Sequence, residues 1–507
     1  PRVRRQRQMC IRDRAKGVNP VLWLHAFILV KRRGEKMENE IMAQKKGNKM
    51  GAEPVAKLMA TVGLPIVLSM MLQAVYNIVD SAFLSNMREA GEQALTALGL
   101  AFPVQLLMVA VAIGTGVGTN ALLAKSLGQR NQKKASEVAG NAVFLGIIIC
   151  IIFILFGFAG VPVYVNSQSA GGAISETVLL MAIDYLQICC CISVGIIFFS
   201  VFEKMLQATG RSLYSTIAQI TGAVVNIVLD PILIYGWLGF PEMGVKGAAY
   251  ATVAGQIVSA ILVLVFHLKL NTEIDKNPKY MKPSWAIIRE IYAIGLPAII
   301  SQALLTVMTY GLNIILGKIK GVGENVVTVY GLYCKIQQLI IFAAVGLRDA
   351  ITPIVSFNQG MRNKKRVKEG IRYGLIYTAI LMALGLIIIE VFAKPLTGFF
   401  SLSDMTYDFC VGCMRIVSLA FVFAGLNIAL QGIFQALECG IESLVISIGR
   451  QVLFILPVAW IFVQFIDSAA NVSIVWWTFL IGEAITLICG IFMYIRVSEK
   501  KISVLED

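Results

Sequence analysis

The chain has 507 residues, of which 57% are hydrophobic and only 15% charged, and its mean hydropathy is +0.76. An average soluble domain carries about a quarter charged residues, so an ordinary soluble protein is excluded. The formal charge of +14 falls between long apolar blocks, which speaks for orientation in a membrane rather than for nucleic acid.

The ten cysteines lie mostly inside apolar blocks, as Cys189, Cys190 and Cys191 do, and read as small buried hydrophobes. Cys410 and Cys413 form a C-x-x-C with no second pair, and His25 and His267 stand too far apart for a metal or catalytic centre.

Residues 1–57 form a basic N-terminal segment. Its one apolar stretch, Val21 to Val30, is followed by Lys31, Arg32 and Arg33 and is too short to span a bilayer. Arg33-Gly34-Glu35-Lys36 before Met37 fits the translation of a purine-rich ribosome-binding sequence. The expectation is that residues 1–36 are not native and that Met37 is the start.

Beyond it, apolar blocks predict spans near 60–86, 97–124, 138–162, 176–202, 212–236 and 245–268. After a polar linker come spans near 290–317, 326–356, 371–397, 408–433, 442–465 and 473–496. In lipid the backbone must bond internally, so each span is a helix. The expected fold is all-α and polytopic, twelve transmembrane helices in two pseudo-symmetric six-helix bundles: an N-lobe (58–268), a linker (269–288), a C-lobe (289–497) and a tail (498–507). Alternate loops and the tail hold about 21 Lys and Arg against about five in the other loops, which places the rich set, the linker and both termini in the cytoplasm.

A shift of 232 residues aligns the two halves without gaps from about residue 63 to 137. Gly63-Leu64-Pro65 falls on Gly295-Leu296-Pro297, Gly114 on Gly346, Gly128 on Gly360, and Arg130-Asn131 on Arg362-Asn363. At a slightly smaller offset Gln207-Ala208 matches Gln435-Ala436. Six spans separate the matched positions, so the repeats are parallel about an axis along the membrane normal, with a cavity between two lobes.

Ionisable residues inside spans are functional candidates by default. Asp80 lies in span 1 within Tyr76-Asn77-Ile78-Val79-Asp80. Span 5 carries Asn226 and Asp230, four apart and so on one helix face, just before Pro231, which lacks an N–H and loosens a carbonyl. Two carboxylates, an amide and that carbonyl suit a small hard cation, Na+ at Asp80, Asn226 and Asp230, or a shared proton. A backbone-capping role for Asp230 at the proline is the structural alternative. Leu312 stands at the repeat position of Asp80, and Leu456 opposite Asp230, so the polar set belongs to one lobe.

Weaker candidates are Asp184 in span 4, Glu483 in span 12, Arg415 in span 10, and Lys335 with Arg348 and Asp349 in span 8; each suits an interhelical pair as well as a substrate contact. Arg348 and Asp349 are neighbours and are expected to point apart and bond different helices. The substrate cavity is expected to draw on Tyr76, Asn77, Met71, Gln73, Asp184, Met308 and Arg415. No nucleophile–base constellation suggests an enzyme.

The motifs resemble those of the bacterial multidrug and toxic compound extrusion (MATE) transporters. The segments that carry the resemblance are Tyr76 to Asp80, Gln207-Ala208-Thr209-Gly210, Asn226-Ile227-Val228-Leu229-Asp230-Pro231, Met243 to Val253, and Asn358-Gln359-Gly360; it spans about residues 55–497. It implies export of amphipathic, often cationic small molecules across a bacterial inner membrane, driven by inward Na+ or H+, with no cofactor, by a monomer. It also carries the cation site onto Asp80, Asn226, Asp230 and Thr252. Span 7 offers none of the acidic residues that some relatives carry in the C-lobe, so the chain resembles the N-lobe-coupled branch. The alternative is a lipid-linked precursor flippase, which calls for a strongly cationic cavity, and a non-transporting receptor would need neither Asp80 nor Asp230.

Overall fold

The computed structural model describes residues 48–85, 87, 91–168, 175–319, 321–398, 404–466 and 469–506; the expectations for residues 1–36 and Met37 fall outside them. Lys49–Ala52 forms one helical turn in a unit of its own, and the second unit begins at Glu53. All that follows concerns the second.

The helices of its first half are α1 (Val55–Ser85), α2 (Gly91–Gly128), α3 (Gln132–Ser167, through a π-helical turn at Phe156–Gly160), α4 (Glu176–Cys191), α5 (Val194–Ala208), α6 (Ser212–Ile234) and α7 (Val245–Leu270). Those of the second half are α8 (Trp285–Gly317), α9 (Gly323–Gly360), α10 (Lys364–Gly398), α11 (Asp404–Ser418), α12 (Phe421–Ala436), α13 (Gly440–Val463, with a π-helical turn at Gly449–Leu453) and α14 (Trp477–Lys501). Among the described residues ten segments are long and apolar enough to cross a bilayer, and up to twelve if α4–α5, bent by 45°, and α11–α12, bent by 50°, are each one span. The fold is all-α and polytopic. The bent pairs occupy matching places in the two halves.

α5 runs on to Ala208, past the predicted end of span 4 at residue 202, because Glu203 and Lys204 are buried among partners rather than bathed in water. Pro65, Pro103, Pro231, Pro297 and Pro353 lie inside helices, where a missing N–H lets a span bend.

Each half has its own apolar core. One gathers Leu84, Ala97, Phe153, Tyr185 and Ile197, the other Leu316, Tyr333, Met382, Phe421 and Trp476. Between them α1 packs on α9 and α2 on α8 and α9. Glycines allow this approach, and they obey the sequence repeat. A Cβ on Gly128 would stand 2.0 Å from the Phe357 carbonyl oxygen, and one on Gly360 would stand 2.2 Å from that of Lys125. Gly114 meets Ile299, and its mate Gly346 meets Val67, the mate of Ile299.

These contacts all fall in the half of the bundle nearer the 271–284 connection, the linker end. Farther along the same helices Phe102, Val307 and Tyr310 are exposed. A Gly128→Ala variant is therefore expected to lose about 1–3 kcal/mol by overpacking against immovable backbone. Gly99→Ala, with nothing within 4 Å, should be neutral or slightly stabilising. Thermal unfolding in detergent distinguishes the two.

At the linker end the tail closes on the 361–364 turn. Lys364 N donates to the Glu506 carbonyl at 2.9 Å, and Glu506 N to that of Arg362 at 3.1 Å.

Candidate functional site

α1 and α6 run parallel, joined by a ladder of polar contacts. Ser212 Oγ donates to the Val62 carbonyl and Thr216 Oγ1 to that of Pro65, both at 2.8 Å. Ser69 bonds Gln219, whose amide also donates to Gln73 Oε1 at 3.2 Å. Tyr235 donates to the Phe83 carbonyl at 2.5 Å. The partners lie 150 to 152 residues apart along most of the ladder. That constant register brings backbone position 80 of α1 level with Asp230 of α6. The side chains of Tyr76, Asn77 and Asp80 lie outside the described residues.

On α6, Asn226 and Asp230 are one turn apart and both buried. Asn226 Nδ2 donates to Asp230 Oδ1 at 3.3 Å and lies 3.5 Å from Thr252 Oγ1 on α7. Asn226 Oδ1 is buried with no hydrogen-bond partner among the described residues. The close crossing of α6 and α7 comes from Gly222 and Gly255, which meet each other's backbone, with Ser259 packed on Gly222 and Asn226 on Gly255. The amide presents its NH2 to both oxygens; carboxylate and hydroxyl, with the amide oxygen one side-chain rotation away, are hard ligands that suit Na+ or a proton. Among the described residues no group of three or more His, Cys, Asp or Glu forms a metal site.

The second half is built differently. Leu312, at the repeat position of Asp80, is packed into the apolar core. Gly449 meets Thr486 as Gly222 meets Ser259; on that register Phe479, stacked on Tyr330, replaces Thr252, and Leu453 replaces Asn226. Yet these spans hold a buried polar group of their own. Arg450 Nη2 donates to Glu483 Oε1 at 2.8 Å, and Asn427 Nδ2 to Glu483 Oε2 at 2.8 Å. Arg450 sits in the π-helical turn of α13, inside an apolar span where the sequence reading passed over it. Its signal was the opposite charge, Glu483, on the next span.

Glu203 and Lys204 were also missed. Lys204 Nζ donates to Asp349 Oδ2 at 2.5 Å, joining α5 of the first half to α9 of the second. Arg348 corrects an expectation: adjacency does not force it away from Asp349. The long guanidinium folds back, with Nε and Nη2 donating to Asp349 Oδ1 at 3.0 and 2.9 Å.

Of the cavity candidates, Asp184 pairs with Lys246 at 3.1 Å and Arg415 with Glu390 at 3.9 Å, all partly exposed. Met71 packs with Val67, Ala343 and Leu347 at the seam, and Met308 against the second-half core. Lys335 is exposed, and Cys410 and Cys413 are buried free thiols.

The family model MatE matches residues 65–232 and 297–461. The chain is 24% identical over 440 residues to the multidrug export protein MepA of Staphylococcus aureus (strain MRSA252), covering 87% of this chain and 93% of that one. It is 23% identical over 439 residues to MepA of Staphylococcus haemolyticus, with the same coverage. Among solved structures, one of a multidrug resistance MATE family transporter of the MOP superfamily in an outward-facing conformation matches with a TM-score of 0.82, 26% identity, and 90% and 98% of the two chains covered. A MOP superfamily transporter from Pyrococcus furiosus, described as having a binding pocket of reversed polarity that suggests a different function, matches with a TM-score of 0.79, 26% identity, and 89% and 98% covered.

Proposed function

The chain belongs to the MatE family of multi-pass membrane transporters, and we propose that it exports amphipathic, often cationic small molecules in exchange for Na+ or H+. The observation that carries this is the buried group of Asn226, Asp230 and Thr252, level with position 80 of α1. A buried carboxylate attracts a cation more strongly in low dielectric than in water, and a neighbouring span supplies the second acidic position.

The cycle is an exchange between two arrangements of the halves. Ion at the α1–α6–α7 site and drug in the cavity favour different arrangements, and each ligand shifts the balance only by its differential affinity. A membrane potential contributes about 2.3 kcal/mol per charge per 100 mV. The basic loops set the linker end, with both termini, in the cytoplasm of a bacterial inner membrane. The arrangement described above, packed at that end, then faces outward. The flippase alternative has less support: of the two arginines a pyrophosphate cavity would use, Arg348 is hydrogen-bonded to Asp349 at 2.9 Å and Arg415 lies 3.9 Å from Glu390.

The reading is tested in vesicles holding purified protein, with a cationic dye on one side and an imposed sodium or pH gradient. Export should accelerate several-fold with one gradient and collapse when it is dissipated. Dye movement indifferent to both gradients would overturn the exchange.

A further inference from the structure

We propose that the buried Lys204–Asp349 pair and the rim pair Lys125–Glu438 form a releasable latch, which holds the linker ends of the two halves together and must open for the cavity to face the cytoplasm. The inference rests on the exchange between two arrangements proposed above.

Four charges meet where α5 reaches α9. Lys204 and Asp349 are 2.5 Å apart with side chains 2% and 4% exposed. Gln207 Oε1 accepts from Lys204 Nζ at 3.0 Å, Glu203 lies 4.0 Å from it, and Arg348 bonds the other oxygen of Asp349. Gln207 in turn donates to Glu203 at 3.0 Å. Two positive and two negative groups balance, one of each sign in each half, so the group stays neutral when the halves part, and Lys204–Asp349 is the contact that crosses between them.

Nearer the rim, Lys125 at the end of α2 meets Glu438 at 2.5 Å, and Lys134 of α3 meets Glu290 of α8 at 2.7 Å. They surround a recess of about 300 Å³ with Ser126, Gln129 and Ala293.

Two features single this group out from ordinary packing. The first is the backbone of Glu438. It occupies the repeat position of Gly210, and both take the left-handed conformation, with φ of 58° and 76°. That conformation suits glycine and strains a residue with a Cβ. The first half uses glycine at this turn; the second keeps a glutamate there despite the strain, and its carboxylate crosses to Lys125. Strain retained at one member of a repeat pair points to a task for the side chain.

The second feature is the choice of charge for a sealed contact. A buried ion pair holds a contact no better than well-packed apolar groups of the same volume, and often less well. An apolar seal, however, exposes oil to water when it parts, whereas these charges regain hydration. The group therefore suits a contact that is made and broken repeatedly.

The test reads exposure of Ser126, which is 1% exposed and lines the recess. Ser126→Cys, placed in the full chain in lipid nanodiscs, is treated with a maleimide and read by peptide mass spectrometry. Asp349→Asn should raise its alkylation rate at least about tenfold. The paired change Lys204→Met with Asp349→Leu, made together with Glu203→Gln and Arg348→Met so that neither is left as an unpaired charge, should lower the rate below that of the parent, because the seam then carries no charge. Glu438→Gly should raise it about two- to fivefold, the scale of a partly exposed ion pair, while thermal stability is kept or increased by relief of the turn.

The last variant separates a latch from a merely structural contact, which would lose stability and closure together. Should Asp349→Asn fail to fold, the paired change and Glu438→Gly decide. Alkylation that occurs in the parent but is the same in the variants overturns the latch alone. A cysteine that stays unreactive in every variant, under either ion gradient and with dye present, overturns the latch and the two-arrangement exchange together.

Discussion

Asp230→Asn is expected to reduce gradient-driven export to background while leaving the protein folded and able to bind its substrates. The variant keeps the shape of the side chain and its contact with Asn226, 3.3 Å away, so packing is undisturbed. What it removes is the negative charge. Two unit charges at about 4 Å attract by about 4 kcal/mol at an effective dielectric of 20, nearly a thousandfold in ion affinity at 1.36 kcal/mol per decade.

Thr252→Ala and Asn226→Ala remove neutral ligands, each worth about 0.5–1.5 kcal/mol net. They are expected to raise the ion concentration needed for half-maximal export by about two- to tenfold without abolishing it. Dye transport against sodium and pH, with dye binding measured separately by fluorescence, resolves the two behaviours. Export by Asp230→Asn at the parental rate would remove the site from the coupling step.

The same ladder that makes this prediction shows what a sequence can disclose. Asn226 and Asp230 stood out because the stretch from Gly222 to Ile234 holds no other polar side chain, and their one-turn spacing is a property of any helix. The repeat was legible too, and the seam glycines sit where it aligns the halves, since any Cβ there would stand 2.0–2.2 Å from a facing carbonyl oxygen and only glycine lacks one. Lys204 was not legible. A lysine at the end of an apolar block looks like a snorkelling or loop residue, and only the packing of α5 on α9 makes it a buried cation.

Arg348 and Asp349 failed for a related reason. Helix geometry governs where Cβ atoms point, but a guanidinium several bonds farther out can turn back to its neighbour. The strained turn at Glu438 needed both readings. The sequence aligns it with Gly210, and the backbone reveals that both adopt positive φ.

Arg450→Met is expected to destabilise the protein by about 3–5 kcal/mol, because it leaves the Glu483 carboxylate buried without its counter-charge. Glu483 is 6% exposed and receives Arg450 through both Nε and Nη2; Asn427 alone, with one amide at 2.8 Å, cannot balance a full charge. The paired change Arg450→Met with Glu483→Leu should restore stability to within about 1–2 kcal/mol of the parent, since an apolar pair avoids the desolvation of both ions. Denaturation in detergent micelles measures both, and a full loss in the double variant would mean that the pair is needed for more than charge balance.

Transport by the double variant carries the larger consequence. In the first half a carboxylate lies among an amide and a hydroxyl, ligands that a mobile ion can join and leave. In the second, a carboxylate on the equivalent pair of spans holds a guanidinium that is permanently charged and tethered to the chain. If the first site exchanges ions and the second is fixed, the double variant should retain gradient-driven export at a rate within about threefold of the parent, on the scale of less than 1 kcal/mol, while Asp230→Asn does not. The two halves would then have divided one inherited scaffold into a moving charge and a static one.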